Sequence, residues 1–295
     1  MKTYFECIPC FIRQVLDAAR ITSDDKQVQL RVLRQALKLA SEADLMQSPP
    51  AMAQQIHRFI REFTGNPDPY AEIKDRFNKI ALQMYPGLRT RVEQSADPLE
   101  TAVRLAIAGN IIDFGVSSNI EESQVRQTVA ESLEAPLELD ELADFKKAVE
   151  EAKSILYLGD NAGEIVFDRL LLEQLPCNKI AFVVKRSPVI NDATRADAIT
   201  TGITDIVEVI DNGSDAPGMI LEDCSEQFRD RFDKTELIIA KGQGNYETLS
   251  EVNKDIFFLL RAKCLVAAGH LDCEIGEMIL QKTKLFNGNK KNARI

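Results

Sequence analysis

The sequence has few of the residues on which several familiar catalytic sites depend. It contains two histidines, His57 and His270, too few for a His-rich zinc site or a His-based catalytic triad. No Gly-Lys-Ser or Gly-Lys-Thr triplet occurs, which excludes the P-loop pattern for binding phosphate. Six cysteines in 295 residues do not make a disulfide scaffold. What remains is carboxylate, amide and lysine chemistry, which favours a metal bound through oxygen atoms.

The chain also lacks a basic surplus and a long apolar run. With 46 acidic and 36 basic residues its formal net charge is −10, which argues against a broad nucleic-acid surface. An anionic substrate stays compatible with this charge, because a bound cation reverses the local field. No apolar run approaches the roughly 20 residues of a membrane helix. The N-terminus has no long apolar core, so no signal peptide is expected. We therefore expect a cytoplasmic protein that binds neither membranes nor nucleic acid.

The first half of the sequence has the periodicity of amphipathic helices. Apolar residues recur three or four positions apart in seven segments, and Pro86-Gly87 is expected to end the fourth. The predicted helices cover residues 7–20, 24–43, 49–65, 70–85, 97–114, 121–133 and 139–153. This pattern predicts an all-helical domain over residues 1–150.

The pattern changes near residue 154, where short apolar runs begin to alternate with segments long enough for crossover connections. The predicted strands cover residues 155–158, 180–184, 206–210, 237–240 and 256–260. Runs of this length and spacing are typical of buried strands in a mostly parallel sheet. The sequence therefore predicts an α/β fold: the helical domain is followed, over residues 151–295, by a three-layer α/β/α domain.

Polar residues follow the predicted strands, at the edge where open α/β sheets bind ligands. Asp160 and Asn161 come after the first strand, and Asp192 lies at a similar depth after the second. Carboxylate and amide oxygens suit Mg²⁺ or Mn²⁺. The alternative is that all three residues cap the helices that follow, since Asp and Asn are favoured N-caps.

Two further positions have both a functional and a structural interpretation. Lys241 follows a predicted strand and precedes Gly242, so it is either a phosphate ligand or a surface lysine at a turn. Asn110 and Asp113 are three residues apart on an otherwise apolar helical face. They either contact the substrate from a helix that leans over the sheet edge or end that helix before Gly115.

Cys7 and Cys10 form a Cys-x-x-Cys pair near the N-terminus. One such pair without a second pair or a nearby pair of histidines is a weak indication of a metal site. We expect both to be structural cysteines of the first helix.

The motifs taken together resemble those of a known family. Gly-Asp-Asn-Ala-Gly-Glu at 159–164, Asn-Asp-Ala-Thr at 191–194 and Lys-Gly-Gln-Gly-Asn-Tyr-Glu at 241–247 resemble the damage-control phosphatase family. That family was long catalogued as a domain of unknown function and includes the acidic-residue-methyltransferase-like proteins. Ala-Gly-Asn-Ile-Ile-Asp at 108–113 and Cys-Ile-Pro-Cys at 7–10 are similar to its short, cysteine-bearing archaeal and bacterial branch. The resemblance spans nearly the whole chain.

The resemblance implies a helical domain packed on an α/β/α domain and a phosphatase that depends on a divalent metal, which would be Mg, Mn, Co or Ni. Its partner would be a small phosphorylated metabolite, such as a sugar phosphate or a damaged phosphometabolite. It implies that Asp160, Asn161 and Asp192 bind the metal. It further implies that Asp160, Asp192 and Lys241 are the catalytic residues. It also implies a phosphate contact from Lys241, with Asn110, Asp113 and Asn245 near the substrate. Both an activated water and an aspartate nucleophile fit these residues.

Two other functions compete with this one. The first is a carboxyl methyltransferase that uses a nucleoside cofactor, but Gly159 to Gly163 lacks the fuller glycine-rich loop expected for such a cofactor. The second is a non-catalytic metabolite-binding protein with a structural metal. The sequence carries no indication of an oligomeric state.

Overall fold

Helices occupy the first half of the chain, and a single sheet organises the second half. The computed structural model describes residues 1–111, 122–137 and 139–283. The first seven helices are α1 (Cys7–Thr22), α2 (Lys26–Ser41), α3 (Pro49–Thr64), α4 (Ala71–Glu93), α5 (Pro98–Ile111), α6 (Glu122–Glu134) and α7 (Leu139–Glu151). Each corresponds to one of the seven segments predicted from periodicity.

The sheet has six strands in the order β3-β2-β1-β4-β5-β6. The strands are β1 (Ile155–Leu158), β2 (Ile180–Val184), β3 (Glu208–Asp211), β4 (Leu237–Lys241), β5 (Ile256–Arg261) and β6 (Met278–Lys282). Neighbours among the first five pair in parallel, and β6 pairs antiparallel with β5. The predicted mostly parallel sheet is confirmed. Strands β2 and β3 lie on one side of β1, and β4 and β5 lie on the other, so the strand order reverses between β1 and β4. Open α/β sheets bind ligands at such a reversal.

Helices cover both faces of this sheet. Those of the second half are α8 (Glu164–Leu172), α9 (Arg195–Thr200), α10 (Glu226–Lys234), α11 (Gly242–Leu249) and α12 (Leu265–Leu271). One core joins α4, α5, α7 and α8 to the sheet, as where Phe145 packs edge-on against Phe257 with ring centroids 5.4 Å apart. A second core joins the other face to α10, α11 and α12. The predicted three layers are therefore confirmed.

The first three helices have a separate core of their own. Phe11, Val15 and Ile56 are among its buried members, and Ile190 from the loop after β2 packs against it. Helices α4, α5 and α7, by contrast, share their core with the sheet. The predicted boundary at residue 150 thus marks a change of secondary structure. The hydrophobic core that contains α4, α5 and α7 extends across this boundary into the sheet.

The prediction that the fourth helix ends before Pro86 is wrong. Helix α4 continues to Glu93 with Pro86 inside it. Proline removes one backbone hydrogen bond from a helix interior. The apolar stripe nevertheless continues through Leu88 and Val92, which are both buried in the first core. That burial offsets the missing bond and carries the helix past the proline. No helix in the described part of the chain is both long and apolar enough to span a bilayer.

Candidate active site

The loops after β1 and β2 are tied together by backbone hydrogen bonds. The amide of Ala193 donates to the carbonyl of Asp160 at 2.8 Å, and the amide of Ala162 donates to the carbonyl of Asn191 at 2.8 Å. Asn161 and Asp192 thereby form an isolated antiparallel bridge. The structure thus brings together the segments that carry Asp160, Asn161 and Asp192.

Hydrogen bonds fix which way the Asn161 side chain points. Its Nδ2 donates to Asp160 Oδ2 at 2.9 Å and to Glu164 Oε2 at 3.0 Å. Both amide protons are used in this way, which leaves the side-chain oxygen as the free end of the amide. We find no donor to that oxygen among the residues that the structure describes. The Asn161 side-chain oxygen is therefore available to a ligand. This favours the metal-ligand interpretation of Asn161 over the helix-cap interpretation.

The C-terminal part of α5 leans over the same loops, as one of the two interpretations of this helix expected. Asn110 Nδ2 donates to Asp160 Oδ2 at 2.9 Å and to Glu164 Oε2 at 3.2 Å. Its side-chain oxygen is buried and has no hydrogen-bond partner in residues 1–111, 122–137 and 139–283. Asp113, the other candidate on this helix face, lies outside the described residues.

Lys241 lies at the candidate site but in a different environment from the one predicted. It is fully buried, and its ammonium group donates to Glu164 Oε1 at 2.6 Å, to Asp168 Oδ1 at 2.7 Å and to the carbonyl of Ala106 at 2.8 Å. These three bonds use all three protons of the ammonium group. This placement does not support Lys241 as a direct phosphate ligand. It instead makes Lys241 the counter-ion of two buried carboxylates.

Those carboxylates and their tyrosine neighbour are not among the residues predicted from the sequence. Glu164 and Asp168 are four residues apart on α8, a helix that is otherwise largely apolar, and both are fully buried. Tyr157 donates its hydroxyl to Asp168 Oδ1 at 2.8 Å. Burial raises the pKa of Asp168 to about 6 even though Lys241 lowers it. The i, i+4 spacing of two acids on an apolar helix was the signal that could have revealed this group.

The two candidate metal-binding carboxyl groups lie close enough to influence each other's ionisation. Removal from water raises the pKa of Asp160 well above its usual range, and the charges of Glu164 and Asp192 raise it further. Burial likewise raises the pKa of Asp192 to about 6, against the lowering effect of Lys185. Carboxyl groups held together against such repulsion are typical of sites that bind a cation or transfer a proton.

Two lysines other than Lys241 lie near these carboxylates. Lys185 is buried at the end of β2, where its Nζ donates to the carbonyl of Gly218 and lies 3.5 Å from Asp192 Oδ2. Lys263 is exposed just after β5, and its charge lowers the pKa of Asp160. Both are therefore within electrostatic range of a ligand bound at this edge.

Asn245 completes the predicted set from the start of α11. It is fully buried, and its Nδ2 donates to the carbonyl of Lys241 at 2.8 Å. Its side-chain oxygen has no hydrogen-bond partner within the part of the chain that the structure describes. Asp192 Oδ2 lies 3.5 Å from the ammonium group of Lys185, at the outer limit of a hydrogen bond. Buried polar atoms are seldom left unpaired in proteins. Their concentration around one sheet edge indicates a place for a ligand.

Histidine and cysteine contribute little to this edge. Burial lowers the pKa of His57 to about 4, which is consistent with a neutral structural residue in α3. All six cysteines are free thiols, with Cys7 packed against the second core and Cys10 exposed. Within the described residues, no group of three or more His, Cys, Asp and Glu side chains is arranged to hold a metal ion. The predicted ligand set has only two such side chains and takes its third oxygen from an amide.

Gly242 provides a direct test of how closely the β1 and β4 loops approach. It has a φ of 79°, and a Cβ at this position would overlap the carboxylate of Asp160. We expect Gly242→Ala to displace Asp160 and to lower the Tm, because the new Cβ adds an overlap with this carboxylate to the strain of a positive φ. Gly65→Ala is the matched control, because Gly65 has a φ of 67° and a Cβ there meets no atom within 4 Å. An equal loss of Tm in the two variants would contradict this close approach.

Comparison with known proteins places this geometry in a family. The model of the damage-control phosphatase ARMT1-like domain matches residues 3–279. The chain is 39% identical over 290 residues to an uncharacterized protein of Methanocaldococcus jannaschii, with 94% of each chain covered. It is 35% identical over 285 residues to a damage-control phosphatase of Archaeoglobus fulgidus, with 95% of this chain and 98% of the relative covered.

A solved structure agrees with these sequence comparisons. The crystal structure of a DUF89 family protein from Pyrococcus horikoshii superposes with a TM-score of 0.87 at 32% identity. The match covers 96% of this chain and 100% of that one. The similarity therefore includes both the helical half and the sheet.

Proposed function

The chain belongs to the damage-control phosphatase ARMT1-like family, and on this premise we propose that it is a divalent-metal-dependent phosphatase acting on small phosphate esters. Sugar phosphates and damaged phosphometabolites are the proposed substrate class. The relatives named as damage-control phosphatases support a phosphatase role over the full length of the chain. The metal and the substrate class are proposals that the resemblance implies and that the residues of the site support.

The observation that carries this proposal is the meeting of three oxygen-bearing side chains at the reversal of strand order. Asp160 and Asn161 follow β1, and Asp192 is joined to them by the backbone bridge between the two loops. The Asn161 amide donates both of its protons to Asp160 and Glu164, which leaves its oxygen available among the described residues. Asp192 Oδ2 has the Lys185 ammonium group 3.5 Å away. Two carboxylates and an amide oxygen suit Mg²⁺, Mn²⁺ and similar cations. These residues therefore fit the proposed metal, which when bound would neutralise charge on the phosphate oxygens.

We assign substrate binding to other residues of the same sheet edge. Lys263, exposed at the end of β5, and Lys185, whose ammonium group has protons beyond its bond to Gly218, would meet the phosphate charge. The unpaired side-chain oxygens of Asn110 and Asn245 would accept hydrogen bonds from substrate hydroxyl groups. Hydroxyl donors next to a phosphate are the chemistry of a sugar phosphate. Lys241 would act indirectly, by holding Glu164 where it orients Asn161 and Asn110.

The test is a phosphate-release assay with purified protein and a panel of sugar phosphates. We expect release with Mg²⁺, Mn²⁺, Co²⁺ or Ni²⁺ and none after treatment with a chelator. Release that is insensitive to the chelator would contradict the metal requirement. Binding of a nucleoside cofactor without phosphate release would favour the methyltransferase alternative. Metal binding with neither activity would favour a non-catalytic metabolite-binding protein.

A further inference from the structure

Helix α4 contacts both of the loops that carry the proposed metal ligands. Asn78 on this helix is buried, and both ends of its amide are used. Its Oδ1 accepts a hydrogen bond from the amide of Gly163 at 2.7 Å, and its Nδ2 donates to Asp197 Oδ1 at 2.9 Å. Gly163 lies two residues after Asn161 in the first loop, and Asp197 lies in α9, the helix that follows Asp192. One side chain from the helical half therefore bridges the two parts of the candidate site.

The first contact of Asn78 fixes a turn that only glycine adopts easily. Gly163 has a φ of 77°, and a Cβ there would lie 3.0 to 3.2 Å from the Cβ and backbone of Phe77. The turn therefore packs closely against α4 itself. This turn directly follows Asp160 and Asn161, so its position sets where those two side chains begin.

The second contact fixes the start of α9. Asp197 Oδ2 accepts hydrogen bonds from the amide and the hydroxyl of Thr194, at 2.9 and 2.7 Å, in a capping box. Lys74 lies 3.7 Å from the same oxygen and 2.6 Å from Asp68 Oδ2. Asp197 thus uses one oxygen to hold the segment after Asp192 and the other to hold α4.

From these contacts we propose that Asn78 is a positioning residue that sets the spacing between Asp160 and Asn161 on one loop and Asp192 on the other. The inference rests on the proposed function in one respect, because the spacing matters for catalysis only if these residues share a metal. The two hydrogen bonds of the Asn78 side chain go to Gly163 and Asp197, and it acts through these residues. An asparagine suits this position because it offers one acceptor and one donor in fixed directions.

Exchanging the two partners tests this role. Asn78→Asp keeps an acceptor for Gly163 but sets two carboxylates against each other, so we expect Mn²⁺ affinity by calorimetry to fall at least about tenfold. We expect kcat/KM to fall by a similar factor. The double variant Asn78→Asp with Asp197→Asn restores a donor–acceptor pair and should return both values to within about threefold of the wild type. Asn66→Asp, the same change in an exposed turn, should have no effect.

Hydrogen exchange of the metal-free protein provides a measurement that does not depend on activity. Asn78→Asp should speed exchange in peptides covering 159–164 and 191–197, and the double variant should reverse this. Unchanged Mn²⁺ affinity and exchange in Asn78→Asp would overturn the proposal, as would a double variant that folds without recovering affinity. Should Asn78→Asp fail to fold, Asp197→Asn breaks the same pair and takes its place. A wild type that binds no metal would instead overturn the proposed function, while the exchange data would still decide the positioning role.

Discussion

Asp160→Asn and Asp192→Asn are each expected to lower kcat/KM for metal-dependent phosphate release by about 1000-fold or more. Each change removes one negative ligand from the proposed metal site while keeping the side-chain size. A loss of this size corresponds to about 4 kcal/mol of transition-state stabilisation, which is in the range that metal ions supply. The measurement is phosphate release with saturating Mn²⁺, together with Mn²⁺ affinity by calorimetry.

The stability of these two variants should not follow their activity. Burial raises the pKa of Asp160 well above its usual range, so its ionised form is disfavoured in the folded, metal-free protein. Near pH 8 a neutral asparagine at position 160 removes that unfavourable charge, and we expect the Tm of metal-free Asp160→Asn to equal or exceed that of the wild type. Asp192→Asn also leaves the buried Lys185 without its carboxylate, so we expect its Tm to lie below that of Asp160→Asn.

The matched control lies on the same edge of the sheet. Asp211 ends β3, and its Oδ1 accepts the amide of Gly213 at 3.0 Å, a bond that asparagine can also accept. Asp211→Asn should therefore retain wild-type activity. Loss of activity in Asp160→Asn that is accompanied by loss of folded protein would indicate a structural role and would contradict the proposed ligation.

The sheet was largely predictable because its strands are buried on both faces. Strands β1 and β2 have the predicted bounds, since all their residues are apolar and buried. Strand β3 begins two residues later than predicted, because Ile206 and Val207 belong to the turn that precedes it. Strand β6 was missed. It is a short edge strand with polar residues at its end, and its pairing with β5 is not evident from local sequence.

The candidate site was predictable in part for the same topological reason. Parallel strands end at one edge, so polar residues after β1, β2 and β4 had to meet there. The burial of Lys241 follows from the face of β4 on which it lies. Leu237 and Ile239 face the core that contains α8, and with a period of two Lys241 faces the same way. Alternation along β4 thus indicated burial beneath α8, where Glu164 and Asp168 lie.

Contacts between distant segments are the part that local patterns do not reveal. Asn78 reaches Gly163, 85 residues away, and Asp197, 119 residues away. In the sequence of α4, Asn78 is a polar residue between the apolar residues Phe77 and Ala81. Its hydrogen-bond partners become evident only when α4 packs on the segments after β1 and β2.

Lys241→Met is expected to lower the free energy of unfolding by about 3–5 kcal/mol near pH 8. The change keeps most of the side-chain volume but leaves Glu164 and Asp168 buried without their cation. Burial alone lowers the pKa of Lys241, yet Asp168 and Glu164 outweigh burial and raise it, which shows how strongly the folded protein favours the charged lysine. Urea unfolding measures the loss. Lys79→Met, at an exposed pair with Asp75, should change stability little.

The loss of unfolding free energy in Lys241→Met, relative to the wild type, should depend on pH in a direction that identifies its cause. A carboxyl group whose pKa is higher in the folded than in the unfolded state weakens the fold as the pH rises from the unfolded to the folded pKa. Asp168, with a pKa of about 6, already does so in the wild type. Without Lys241 its pKa rises further, so the variant loses more stability than the wild type between pH 5 and pH 8. Near pH 5 Asp168 is protonated and the deficit should shrink. A deficit that is constant across this range would mean that lost packing, and not the buried charges, explains the destabilisation.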